Sequence, residues 1–171
     1  MFLCYERVVY DLCMNQVLTL GIVCDGERVL LGMKKRGFGE GRWNGFGGKV
    51  EEGETLEVAL CREFEEEVCI VPQSYEEIGL LKFTFDSVPD ILEVHIFKID
   101  EFSGEPFETE EMRPKWFTHS EIPFSDMWSD DVYWFPYLLE SKKFEGHFHF
   151  DRPADKNHEG KILGYEIEEI F

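Results

Sequence analysis

GGKVEEGETLEVALCREFEEEVCI, residues 47–70, carries two patterns at once. Leu56, Leu60, Phe64 and Val68 recur every fourth position, which at about 100° per residue makes one apolar arc of a helix. Thr55 stands where an N-cap would, so the stretch predicts a helix over residues 55–68. Glu63, Glu65, Glu66 and Glu67 crowd the same helix, although like charges three or four apart cost about 0.2–0.5 kcal/mol per pair. Glu63 and Glu67 fall about 40° apart, with Glu66 about 60° to the other side of Glu63. Three carboxylates therefore share one flank, beside the apolar arc rather than opposite it. A chain rich in acids can produce an acidic solvated helix by composition alone. Oxygen ligands grouped next to the core also suit Mg²⁺ or Mn²⁺, whose charge turns repulsion into attraction.

The segment before the helix separates these readings. Residues 34–49, KKRGFGEGRWNGFGGK, hold five bases (Lys34, Lys35, Arg36, Arg42, Lys49) against one acid, Glu40. Six of the 15 glycines lie there, allowing backbone N–H groups to approach an anion closely. The loop lacks the pattern G-x-x-x-x-G-K-[ST] of the P-loop. A cationic, glycine-rich loop leading into clustered acids is what a metal–polyphosphate substrate requires.

The rest of the chain fits a small-molecule site. Its 171 residues, 43% apolar and 15% aromatic, suffice for one domain with a packed core. The formal charge of −19, from 36 acids and 17 bases, repels polymeric nucleic acid and anionic membrane. The five cysteines (Cys4, Cys13, Cys24, Cys61, Cys69) show neither CxxC nor Cys/His metal spacing and read as reduced thiols. No apolar run is long enough to span a bilayer. The first 15 residues, with Glu6 and Asp11, suit neither a signal peptide nor a transit peptide. A cytoplasmic monomer is expected, with nucleus and mitochondrion as alternative compartments.

Apolar runs at 16–24 and 28–34, joined by Asp25-Gly26, predict a hairpin. Further strands are expected at 80–86, 92–99, 115–119, 148–151 and 161–171. Residues 128–144 begin like a second helix, with Ser129 as cap, two aspartates in the first turn and Pro136 as a kink. His147 and His149 share one strand face and read as structural. The fold class is α+β, a mixed β-sheet with two main helices packed on it.

From Gly48, five residues lead to Glu54, seven more to Arg62, and REFEEEVCI follows. This resembles the Nudix box, departing from it only at Cys69, where the pattern has the glycine that ends the helix. LLGMKKRGFGEGRWNGFGGKVEEGET, EEMRPKWF, IPFSDMWSDDVYWFP and FEGHFHF are similar to the MutT-homologue branch, the oxidised purine nucleoside triphosphatases. The resemblance covers residues 16–171, read as a single Nudix domain behind an extension of residues 1–15; DRPADKNHEGK reads as an insertion. It implies a Nudix-type mixed sheet sandwiched between two helices. It also implies Mg²⁺ held by Glu63, Glu66 and Glu67, with Glu67 or Glu63 nearest the attacking water. Glu111 and the carbonyl of Gly47 or Gly48 would complete the shell. Arg62 would pair with the carboxylates, and Lys34 and Lys49 would meet phosphates. The base pocket would comprise Thr19, Asn44, Phe46, Phe83, Leu92, Met112, Trp128, Ser129, Asp130 and Asp131. Two adjacent carboxylates share a proton, so Asp130 and Asp131 would offer a donor and an acceptor to an oxopurine edge.

The expected reaction is Mg²⁺-dependent cleavage of a modified purine nucleoside triphosphate to monophosphate and pyrophosphate. Two alternatives stay open: a Nudix hydrolase of another nucleoside diphosphate derivative, and a nucleotide-binding domain without turnover.

Overall fold

The computed structural model describes residues 15–155 and 158–171. The first 14 residues, and with them nearly all of the expected extension, lie outside the described part. Asn15, counted with that extension, is instead the first residue of a strand, because it pairs with Ile91. Strand β1 (Asn15–Asp25) turns through Gly26, which has φ of 60°, into β2 (Arg28–Lys34). After a short β3 (Trp43–Asn44) comes helix α1 (Leu56–Val68), then two long strands, β4 (Val71–Phe85) and β5 (Ile91–Ser103). Strand β6 (Met112–Thr118), helix α2 (Asp131–Leu139), β7 (Phe144–Phe150) and β8 (Ile162–Glu169) complete the chain.

The strands form one mixed sheet in the order β3-β2-β1-β5-β4-β7-β8, with β6 added on β2. β1 runs parallel to β5, and β4 parallel to β7. Consecutive buried residues point to opposite faces, as the pleat requires. Ile22, Leu31 and Ile96 pack with Trp134, Phe135 and Leu138 of α2. Their neighbours Val23, Leu30 and Phe97 pack with Leu60, Phe64 and Val68 of α1. The sheet is thus sandwiched between the two helices, as expected.

α1 starts where its sequence says. The Val58 N–H donates to Thr55 Oγ1 at 3.3 Å, and Leu60, Phe64 and Val68 are fully buried. It ends at Cys69, which adopts the left-handed conformation (φ 61°, ψ 27°) and donates its N–H to the Glu65 carbonyl. The turn that a glycine makes in the box pattern is therefore preserved with a cysteine. α2 is shorter than expected, and Ser129 does not cap it. Asp130 occupies the cap position without a side-chain cap bond, while Asp131 Oδ2 accepts the Trp128 N–H at 3.1 Å. Pro136 is tolerated near the exposed end of the short helix, which stops at Leu139, and Ser141 follows with φ of 55°. β4 begins well before residue 80: its acid-rich start, Val71 to Ile78, pairs with β5 through bulges that break the alternation.

Candidate active site

A cavity of about 860 Å³ opens between the glycine-rich loop, the sheet and the start of α2. Its middle is apolar, walled by Leu18, Leu81, Phe83, Leu92 and Val94. One end holds Lys34, Gly47, Gly48, Glu67 and Glu111; the other holds Asn44, Trp128, Asp130 and Asp131.

At the first end the acids of α1 meet the loop. Glu67 is 3% exposed; its Oε2 accepts the Gly47 N–H at 3.1 Å, and its Oε1 accepts from Lys34 Nζ at 3.0 Å. Lys34 Nζ also donates to Glu111 Oε2 at 3.3 Å. Burial raises the Glu67 carboxyl above the usual carboxylate range, against the lowering pull of Lys34. Gly47 is required by close approach, since a Cβ there would strike the Thr19 carbonyl, and Gly48 lies directly against the Glu63 carboxylate. Arg62 is the strut behind this end. Its Nε and Nη2 form a fork on Glu54 at 2.7 and 2.9 Å, Nη1 reaches Glu63 at 2.7 Å, and Nη2 also donates to the Lys49 carbonyl. Those bonds from Arg62 hold the Glu54 carboxyl down at about 2. Glu66 is turned outward, 3.6 Å from Arg62 Nη1 and largely exposed.

The oxygen donors fit a hard divalent cation: Glu63, Glu67 and Glu111 reach the same loop, and Glu67 is desolvated. Lys34 and Arg62 each bridge two of the acids in this arrangement. Among the described residues, no three His, Cys, Asp or Glu side chains converge as ligands of one ion. Lys34 holds Glu67 and Glu111, Arg36 also holds Glu111, Arg62 holds Glu63, and Glu66 faces solvent.

At the far end, burial lifts both aspartates. Asp130 is raised to about 6, by burial against the opposing Trp134 hydrogen bond, and Asp131 well above its ordinary value, by burial and by Asp130 beside it. Trp134 Nε1 donates to Asp130 Oδ2 and the Trp128 N–H to Asp131 Oδ2, each at 3.1 Å, so each carboxyl is anchored. Trp128 has Phe38 stacked on it at 5.1 Å, and the Arg42 guanidinium lies 4.4 Å from its ring centroid. Thr19 Oγ1 is buried without a partner among the described residues, and Thr19 lines the cavity.

Most of the residues expected at the site line this one cavity: Thr19, Lys34, Asn44, Gly47, Gly48, Lys49, Glu67, Phe83, Leu92, Glu111, Met112, Trp128, Asp130 and Asp131. Phe46 does not. It is fully buried against Gly32 and Phe64, in the core beneath α1. Ser129 is exposed and offers only its backbone. Phe38, Arg42 and Glu159 line the cavity unforeseen. Phe38 had a signal, an aromatic between two glycines in a basic loop, whereas Glu159 comes from the segment read as an insertion.

The sequence profile of the NUDIX domain matches residues 14–138. The chain belongs to the Nudix family. This Nudix protein is 49% identical over 156 residues to the oxidized purine nucleoside triphosphate hydrolase of Mus musculus, covering 91% of this chain and 96% of that one. It is 52% identical over 136 residues to the protein of the same name from Danio rerio, covering 80% and 87%. The crystal structure of the mutator MutT protein from Bacillus halodurans superimposes with a TM-score of 0.76 at 28% identity, covering 90% of this chain and 97% of that one. Nudix hydrolases generally use divalent metal ions. No helix among the described residues is long and apolar enough to cross a membrane.

Proposed function

We propose that this Nudix protein hydrolyses oxidised purine nucleoside triphosphates to the monophosphate and pyrophosphate, with Mg²⁺ as its ion. The observation that carries the reading is the buried pair Asp130–Asp131, at the opposite end of one cavity from Glu67. A carboxyl kept neutral beside a second one presents both a donor and an acceptor, and an oxopurine edge needs both. The relatives named for oxidised purine nucleotides support the same substrate class.

In this reading Trp128, braced by Phe38 and Arg42, forms one wall of the base pocket, with Asn44 and Thr19 Oγ1 offering the base polar contacts. Glu63, Glu66, Glu67, Glu111 and the Gly47 or Gly48 carbonyl would hold the ion. When bound, the ion supplies charge to the phosphoryl oxygens and acidity to water. Lys34, released from Glu67 and Glu111, turns its ammonium to a phosphate, and Lys49 meets another at the rim. Glu67 is the carboxylate placed to take a proton from the attacking water, since it is buried and oriented by the Gly47 N–H. Arg62 acts through others, locking the loop to α1 by way of Glu54 and the Lys49 carbonyl.

We read residues 16–171 as one catalytic domain, monomeric and cytoplasmic. Gel filtration at micromolar concentration tests the first two terms, and fractionation of cells expressing the chain tests the third. Pyrophosphate release from a panel of oxidised and ordinary nucleoside triphosphates, with Mg²⁺, with Mn²⁺ and with chelator, tests the activity. Oxidised purines should be preferred and chelator should abolish turnover. Preference for ADP-ribose or a dinucleoside polyphosphate would replace this reading.

A further inference from the structure

Between β7 and β8, residues 152–154 and 159–160 line the cavity, and Glu159 ties its own stretch down. Glu159 Oε1 accepts the Ser129 N–H at 2.7 Å, and Oε2 lies 3.3 Å from Arg42 Nη2. Arg42 donates from Nη1 to the Met127 carbonyl at 2.8 Å and covers the face of Trp128. One carboxylate thus joins three segments: the glycine-rich loop, the residues entering α2, and its own loop. The base of that loop is fixed. Asp151 and Lys161 pair through the Asp151 N–H, and Asp151 Oδ1 accepts the Lys161 N–H at 2.7 Å. Gly160 packs so closely on the Arg152 carbonyl that no Cβ would fit. Glu159 is therefore presented from a braced position, with its side chain 18% exposed.

We propose that Glu159 is a positioning residue for base recognition, setting Trp128 and the aspartate pair in place from a loop outside the Nudix box. It rests on the substrate reading above. Losing the carboxylate frees Arg42 and the Ser129 N–H together, so the Trp128 wall loses its outer support while the box glutamates at the other end are untouched. The charge also reaches the pair. Behind burial, the charge that raises Asp130 is Glu159, and those that raise Asp131 are Asp130 and then Glu159, whose own partner is Arg42.

The test compares wild type, Glu159→Ala and Glu159→Gln by kcat, KM and pH profile on an oxidised purine nucleoside triphosphate and its unmodified counterpart, with far-UV circular dichroism as the check on folding. Glu159→Ala should raise KM for the oxidised purine about tenfold while kcat stays within about twofold, narrowing the preference over the unmodified base. Glu159→Gln keeps an acceptor for the Ser129 N–H, so it should recover part of the KM. It lacks the charge, so its alkaline limb should move toward acid. An unchanged KM and pH profile in a folded Glu159→Ala variant overturns the proposal and leaves the hydrolase reading intact. An equal loss of kcat on both substrates also overturns it, because that would place Glu159 in the chemistry. A wild type without turnover of any oxidised purine removes the substrate reading and this one with it.

Discussion

Glu67 is held by Gly47 and Lys34 inside the sheet–helix junction, so replacing it tests the chemistry more than the fold. Glu67→Gln retains an acceptor for the Gly47 N–H and leaves Lys34 with Glu111. Its kcat should fall at least about a hundredfold with the circular dichroism spectrum unchanged; turnover at the wild-type level would remove the metal-site reading. The aspartates give a prediction with a definite sign. Their folded pKa values lie above the unfolded value of about 3.9, reaching about 6 for Asp130 and standing well above the ordinary value for Asp131. The folded state then binds more protons than the unfolded one. The contribution is most favourable below about pH 3.9 and is lost as pH rises through the folded values. Asp130→Asn keeps an acceptor for Trp134 Nε1 and removes the ionisation, so its Tm relative to wild type should climb between about pH 4 and about pH 6 and level off above. A difference flat in pH would mean that Asp130 is not held neutral. Base discrimination should suffer in the same variant, with purine substrates of opposite edge pattern losing kcat/KM unequally. Equal losses that include a pyrimidine would show that the pair does not read the base.

Among the elements, α1 was open to reading from sequence because its stabilising terms are local: an N-cap, an apolar arc and an end at Cys69. Strand β2 was read to its ends for the same reason, between an Asp-Gly turn and the first lysines. The start of β4 was not. Its acids Glu76 and Glu77 suit an exposed strand only once β5 lies beside it, and bulges interrupt the alternation. Ser129 looked like a cap because serine commonly is one, but Asp131 and Glu159 take the backbone donors there, a competition invisible without the fold. In the site, box residues were legible through spacing, whereas Phe38, Arg42 and Glu159 become neighbours only in three dimensions. Cys69 carries the prediction for this level. A left-handed non-glycine residue costs about 1–2 kcal/mol, partly offset because glycine loses more entropy on folding. Cys69→Gly should therefore raise Tm by about 1–3 °C with activity unchanged. A fall in Tm would show that the cysteine side chain stabilises the turn.

For the molecule as a whole, the opposed placement of α1 and α2 puts the box acids and the aspartate pair on elements packed against different faces of the sheet. The cavity is what joins them, and its polar ends are separated by an apolar floor. The described core starts with Asn15, in β1. Deleting residues 1–13 should leave turnover within about twofold and Tm within a few degrees, a change of about 1 kcal/mol. Aggregation or inactivity of the shortened chain would show that the segment belongs to the domain.

The parallel pairing of β1 with β5 also bears on how the chain is made. Asn15 to Val23 hydrogen-bond to Ile91 to Ile99, whereas β1 meets its sequence neighbour β2 only at Val23, Cys24 and Asp25. Until β5 has left the ribosome, that edge of β1 has no strand beside it, and the box helix lacks part of the surface it buries. Non-local pairings of this kind close slowly and leave apolar edges open meanwhile. The nascent chain should accordingly resist protease at β1 only after β5 has cleared the exit tunnel, and holding chaperones should raise the yield of folded protein most when translation is slowed before that point.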